Sequence, residues 1–269
     1  MSIMTWKDLE KRSYSPYSGL KSACIVKGSS GVCYPGVRVE NISFPLSIGA
    51  VQAAIFSCLS EGDVPGELML PNETGTSAGV GDAAWQSGTP GNMKNIARQN
   101  LFSCTDKELR FWCEEFGLPC VSGVQPCSGP KDTIFQTGES SASVERLSEL
   151  TARCIIPYSS FPVTALLVSD TGIFSGANIE VDDWQKGLCA ERVALAKARA
   201  SGAVSFSEIH VFAPKSDYVS PCGACRQVLV EHMGDGTMYL HHNETEISRL
   251  RVADLLPYQF KAGQLGHNN

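Results

Sequence analysis

Three cysteines and one glutamate carry the strongest chemical signal in this 269-residue chain. Pro221-Cys222-Gly223-Ala224-Cys225 sets two thiols three positions apart at the start of a helical pattern, where both can face one metal. Cys189 opens a second helical pattern, two residues ahead of Glu191. The unpaired N–H groups and positive dipole end of a helix N-terminus lower a thiol's pKa, and the thiolate is the form that binds zinc. A CxxC pair alone is a weak signal; the third cysteine, followed by an acid that need not be a ligand, gives it weight. A structural zinc site is closed by four protein ligands, whereas a catalytic site keeps three and leaves the fourth place to water. No fourth ligand stands at natural spacing. His232, His241 and His242 are candidates, but a lone histidine is more often a core or surface residue. A closed structural zinc and a redox CxxC are the competing readings, and the second leaves Cys189-Ala190-Glu191 unexplained.

These residues need elements to hold them. The 143–154 segment has helical spacing, with Val144, Leu147 and Leu150 on one face and Ser143 as N-cap. Residues 163–168 and 173–178 read as strands joined by the Ser169-Asp170-Thr171-Gly172 turn. A helix over 189–200 stops at Gly202, a strand follows over 208–213, a helix over 221–232 and a strand over 238–241. Alternating strands and helices predict an α/β domain with a helix-flanked sheet.

The same order occurs twice. Pro16-Tyr17-Ser18 recurs as Pro157-Tyr158-Ser159, Gly36-Val37-Arg38-Val39-Glu40 matches Gly176-Ala177-Asn178-Ile179-Glu180, and Ile48-Gly49-Ala50-Val51 matches Leu188-Cys189-Ala190-Glu191. A register held over several elements indicates duplication. The expected organisation is a first domain over 1–124 with an inserted loop near 71–100, a Gly-, Ser- and Pro-rich linker over 125–140, and a second domain over 141–269. The first copy has Gly49, Val51 and Lys107 where the second has Cys189, Glu191 and Cys225, and of the metal set only Cys104 survives. One thiol cannot hold zinc this way, so one zinc per chain is expected.

Bulk composition narrows the partners. A net charge of −6 argues against a broad nucleic-acid surface. No apolar run is long enough to span a bilayer, and the first twelve residues lack the pattern of a secretory signal. The expected compartment is the cytoplasm, with most of the eleven cysteines reduced and Cys24, Cys58 and Cys154 acting as small buried hydrophobes.

Cys189-Ala190-Glu191-Arg192 and Pro221-Cys222-Gly223-Ala224-Cys225-Arg226-Gln227 resemble the cytidine deaminase family, as do Pro157-Tyr158-Ser159-Ser160-Phe161, Asn178-x-Glu180 and Leu255-Leu256-Pro257-x-x-Phe260. The resemblance covers residues 143–265. It implies two tandem α/β/α sandwich domains, each a mixed sheet flanked by helices, the first degenerate and the second catalytic. It also implies hydrolytic deamination of cytidine and 2'-deoxycytidine by zinc-activated water, with ammonia released, as in zinc deaminases generally. Glu191 would shuttle protons, Arg192 would bond a thiolate, Asn178 and Glu180 would bind the ribose hydroxyls, the Ala190 backbone would contact the base and Phe161 would pack on it. A free nucleoside is expected, since Glu180 would repel a nucleotide's phosphate and no basic cluster adjoins these motifs. Turn chemistry for Asn178 and core packing for Phe161 are the plainer readings. A modified cytosine nucleoside as substrate and a non-catalytic zinc protein used for assembly are the alternatives in function. Single-domain members are usually homotetramers, so a fused pair is expected to form a homodimer that mimics the four-domain assembly. Phe44, in a family-like segment of the first copy, and Phe260 would then wall a pocket across domains or subunits, with packing in its own domain as the alternative for Phe44.

Overall fold

The computed structural model describes residues 4–71, 108–122, 143–243 and 245–260. The expected insertion, the linker, Cys104 and Lys107 lie outside them.

The N-terminal half runs α1 (Trp6–Glu10), β1 (Ala23–Gly28), β2 (Cys33–Val37), a 3-10 turn at Phe44–Leu46, α2 (Ala50–Ser60), β3 (Pro65–Leu70), α3 (108–116) and β4 (Cys120–Ser122). The C-terminal half runs α4 (Val144–Leu150), β5 (Thr164–Ser169), β6 (Gly172–Ala177), a 3-10 turn at Trp184–Lys186, α5 (Ala190–Ala200), β7 (Phe206–Phe212), α6 (Gly223–Met233), β8 (Thr237–His241) and β9 (Ile247–Arg251). Each half builds a mixed sheet, in the order β2-β1-β3-β4 and β6-β5-β7-β8-β9. The hairpins β1–β2 and β5–β6 are antiparallel, while β3–β4 and β7–β8 are parallel. The two halves thus repeat one topology, and the C-terminal half adds β9 antiparallel to β8.

Both faces of the second sheet are covered, which explains why β5 reads as a near-continuous apolar run without alternation. On one face, Leu147 and Leu150 of α4 pack with Leu166, Ile173 and Phe212. The other face carries α5. Gly202, at φ +93, ends that turn where a side chain would be strained.

The main core lies between the two sheets and is shared by both halves. Helices α2 and α5 pack against each other there, each on its own sheet and each touching the other half's hairpin. All eleven residues of α5 are buried although four of them are charged. Gly36 and Gly176 let these helices approach their hairpins: an added Cβ would lie 2.1 Å from Ala50 O in one half and 2.0 Å from Ala190 O in the other.

Pairs of contacts repeat across the two halves. Arg192 Nη2 donates to Leu46 O at 2.9 Å, and Gln52 Nε2 donates to Lys186 O at 2.6 Å, both pairs being equivalent under the 140-residue offset. The bridges Tyr14–Val39 and Val39–Ile48 recur as Ile155–Ile179 and Ile179–Leu188. The halves therefore meet about an approximate two-fold axis. Other contacts are private to one side: His232 donates from Nε2 to Glu40 O and accepts from Arg199 at Nδ1, which leaves it neutral, its pKa pushed down to about 3 by burial and by Arg199. Tyr17 and the Ile42 amide donate to Glu231.

Candidate active site

Two helix N-termini converge on one point. Cys189 is the N-cap of α5; Cys222 is the N-cap of α6, with Cys225 in its first turn. The expected boundaries of both helices hold to within a residue or two. Sγ of Cys189 lies 3.6 Å from Sγ of Cys222, and the three sulfurs lie within 4.8 Å of one another. A tetrahedral zinc with Zn–S bonds of about 2.3 Å spaces its sulfurs by roughly 3.8 Å, so the trio fits that ion.

The three sulfurs differ in how readily they ionise. Hydrogen bonds from Cys189 and Cys225, aided by backbone N–H groups of α6, hold the Cys222 thiol far below its usual range. Cys189 is pushed up by its bond with Cys222 and by burial, and Cys225 by its bonds with Cys189 and Cys222 and by burial. Three thiolates in this space need a cation to offset them. No histidine completes a fourth ligand: among the described residues the one metal-ready group is the cysteine trio. His241 faces His210 at 3.0 Å, and His242 accepts from Val219 N.

Glu191 is 2% exposed, and its Oε2 has no hydrogen-bond partner. Burial lifts its carboxyl to about 7. A protonatable carboxyl aimed into the space beside three thiols is what proton transfer requires. Ala190, at the first turn of α5, is fully buried.

The remaining predicted residues are placed by their own contacts and exposure. Asn178 accepts from Val163 N through Oδ1 and donates to Phe161 O through Nδ2. Glu180 accepts from the Tyr158 and Ser159 amides, at 3.0 and 3.1 Å, and is held below the usual carboxylate range despite partial burial. Both side chains thus shape the 157–163 segment that presents Phe161, which is 38% exposed. Ser160 is held at φ +52, and Lys215 donates to its carbonyl at 2.6 Å, a tie that sequence spacing gave no means of finding. Arg192 reaches Leu46 O across the two halves. Phe44 is 83% exposed within the chain, so it does not pack in its own core; Trp184 and Phe260 are exposed as well.

The equivalent place in the N-terminal half has been rebuilt. An added Cβ at Gly49 would lie 1.5 Å from Glu108 Oε1, so a carboxylate from α3 occupies the space of the first metal ligand. Glu40, the counterpart of Glu180, accepts from Arg38, from the Tyr17 and Ser18 amides and from the Ser18 hydroxyl.

The family described as the cytidine and deoxycytidylate deaminase zinc-binding region matches residues 137–241, and again residues 7–67. The chain is 42% identical to a cytidine deaminase of Sporosarcina psychrophila over 114 residues, which is 42% of this chain and 84% of that protein. It is 43% identical to a probable cytidine deaminase of Dictyostelium discoideum over 44% of this chain and 80% of that one. The chain belongs to the cytidine deaminase family. A crystal structure of cytidine deaminase from Burkholderia pseudomallei aligns at 32% identity with a TM-score of 0.40, over 44% of this chain and 95% of that one. Two family matches in one chain support the duplication read from the 140-residue register, and the two cytidine deaminase relatives named above each correspond to about one half of it. Zinc is the metal this family holds, and the trio of Cys189, Cys222 and Cys225 is the place in this chain where it fits.

Proposed function

We propose that the chain deaminates cytidine and 2'-deoxycytidine hydrolytically to uridine and 2'-deoxyuridine, releasing ammonia. The observation that carries this reading is the buried, partnerless oxygen of Glu191 beside three convergent thiols. Cys189, Cys222 and Cys225 would hold zinc, which when bound supplies the Lewis acidity that lets water act as a nucleophile near neutral pH. Glu191 accepts a proton from the attacking water and delivers it to N3 of the base. It then passes the water's second proton to the 4-amino group, which departs as ammonia while C4 keeps the oxygen. The Glu180 carboxylate and Asn178 are tied to the 157–163 segment, beside which ribose hydroxyls would bind, and Phe161 is exposed enough to cover a base. The Ala190 backbone, at the N-terminus of α5, would meet the base edge.

The family matches over 7–67 and 137–241 support a first domain over 1–124 and a second over 141–269, joined by a linker over 125–140. Free cysteine ligands persist in a reducing compartment, which favours the cytoplasm. Exposed Phe44, Trp184 and Phe260 support a homodimer in which a second copy covers these rings and Phe44 walls the neighbour's pocket. The test is loss of ultraviolet absorbance on conversion of cytidine, run beside deoxycytidine, a modified cytosine nucleoside, CMP and single-stranded DNA. Turnover of the first two alone is expected. Preference for the modified nucleoside would favour that alternative substrate, and no turnover by zinc-loaded protein would leave an assembly role. Sedimentation at twice the mass of one chain is expected in the same buffer.

A further inference from the structure

The half that lost its catalyst did not lose its pocket. A cavity of about 250 Å³ lies where the duplication places the counterpart of the active site, lined by Arg38, Ser47, Gln52, Glu108, Trp112 and Lys186. Arg38 stands for Asn178 and Gln52 for Arg192, while Gly49 at the wall stands for Cys189. The volume falls below the roughly 300–1,000 Å³ of drug-sized sites and suits one heterocycle.

The polar groups facing this space are mixed in kind. Glu108 offers carboxylate oxygen, Gln52 an amide oxygen, and Arg38 guanidinium N–H groups other than the Nε that bonds Glu40. Ser47 accepts from Asn41 N and keeps its hydroxyl proton to donate. Among the described residues the Lys186 ammonium is already committed to Asp183 and to the Phe111 ring, and the Arg38 Nε to Glu40, so no described cation lining the cavity is left without a counter-charge to attract a phosphate. Adjacent donors and acceptors beside an indole match a neutral ring with a donor–acceptor edge, such as the imide of uracil or the amidine of cytosine. Glu40 already accepts from four groups, so the ribose grip of the catalytic half has no counterpart here.

We infer that this cavity is a second, non-catalytic site for a pyrimidine base or nucleoside, with Glu108 taking the ring's N–H and Arg38 and Gln52 its oxygen or amine edge. Such a ligand would touch both halves, because Lys186 comes from the catalytic half three residues before Cys189 and its carbonyl is held by Gln52.

Equilibrium dialysis of the zinc-loaded full chain against radiolabelled uridine, which the reaction does not consume, tests this. The expected saturation is two uridines per chain, falling to one in Glu108→Gln with turnover of cytidine unchanged. Ser47→Leu, which fills the cavity from its rim, should give the same result should Glu108→Gln fail to fold. One uridine per chain in both the wild type and the variants overturns the inference, as does two in all of them. One uridine in the wild type and none in the variants would uphold this site while removing the nucleoside reading of the zinc site, so the two failures are separable.

Discussion

Glu191 sits where a carboxylate is expensive to bury, and nothing among the described residues satisfies its second oxygen. In the proposed reaction, a residue kept under that penalty two positions after a ligand moves protons and does not hold the metal. Glu191→Gln preserves volume and polarity while removing the ionisable proton. It should retain one zinc per chain by metal analysis and lose turnover by roughly two to four orders of magnitude. Cys222→Ser is the companion, because it removes a ligand: zinc should fall toward zero with activity. A Glu191→Gln protein without zinc would make the glutamate a ligand, and two zincs per chain would assign metal to the N-terminal half. The residues of this site were legible in the sequence because CxxC and CxE spacing translates directly into helix N-termini. Glu108 was not, since the contact that puts it in the place of a ligand joins α3 to a loop some sixty positions away.

At the scale of elements, the thiols are only as well placed as the helices that carry them. Gly36 and Gly176 hold equivalent close approaches, yet only one lies under a helix that bears a ligand. Gly176→Ala should push the start of α5 from β6 and lower both stability and zinc retention. Gly36→Ala should cost a similar amount, about 1–3 kcal/mol for overpacking, without releasing zinc at temperatures where the chain stays folded. Urea unfolding with zinc measured by a chelating dye separates the two, and equal zinc loss in both variants would refute the local coupling. The strands and helices of the C-terminal half could be read from their periodicity and caps, Ser143 included, whose side chain accepts from Arg146 N. Strand β9 could not: Ile247-Ser248-Arg249-Leu250-Arg251 is an exposed, charged edge strand, and neither alternation nor apolar density marks it.

For the whole molecule, the question is what keeps a catalytically empty half attached to an active one. Helix α5 is buried throughout although it carries four charged residues, and that burial was illegible in the sequence because groups that answer Arg192 and Lys197 belong to the other half. Lys197 is the sharpest case. It is fully buried, and desolvation pulls its pKa down, yet it meets Glu61 at the end of α2 together with Ser60 and Ser175. Arg153 pairs with the same Glu61 at 2.7 Å. Glu61→Ala would leave an ammonium in the shared core with no counter-charge, a loss of about 3–5 kcal/mol when one partner of a buried pair is removed. The mutated residue lies in the N-terminal half, but the destabilised charge lies on the helix whose N-cap is Cys189. Unfolding of both halves should therefore shift together, as one transition, to lower urea. Adding Lys197→Met to Glu61→Ala replaces the stranded charge with an apolar chain of similar length, and should recover most of the loss. Chemical denaturation of the wild type, Glu61→Ala and the double variant, followed by fluorescence and by zinc release, measures each step. Two separate transitions, or a double variant no more stable than Glu61→Ala, would show that the halves fold independently and that the buried pair does not join them.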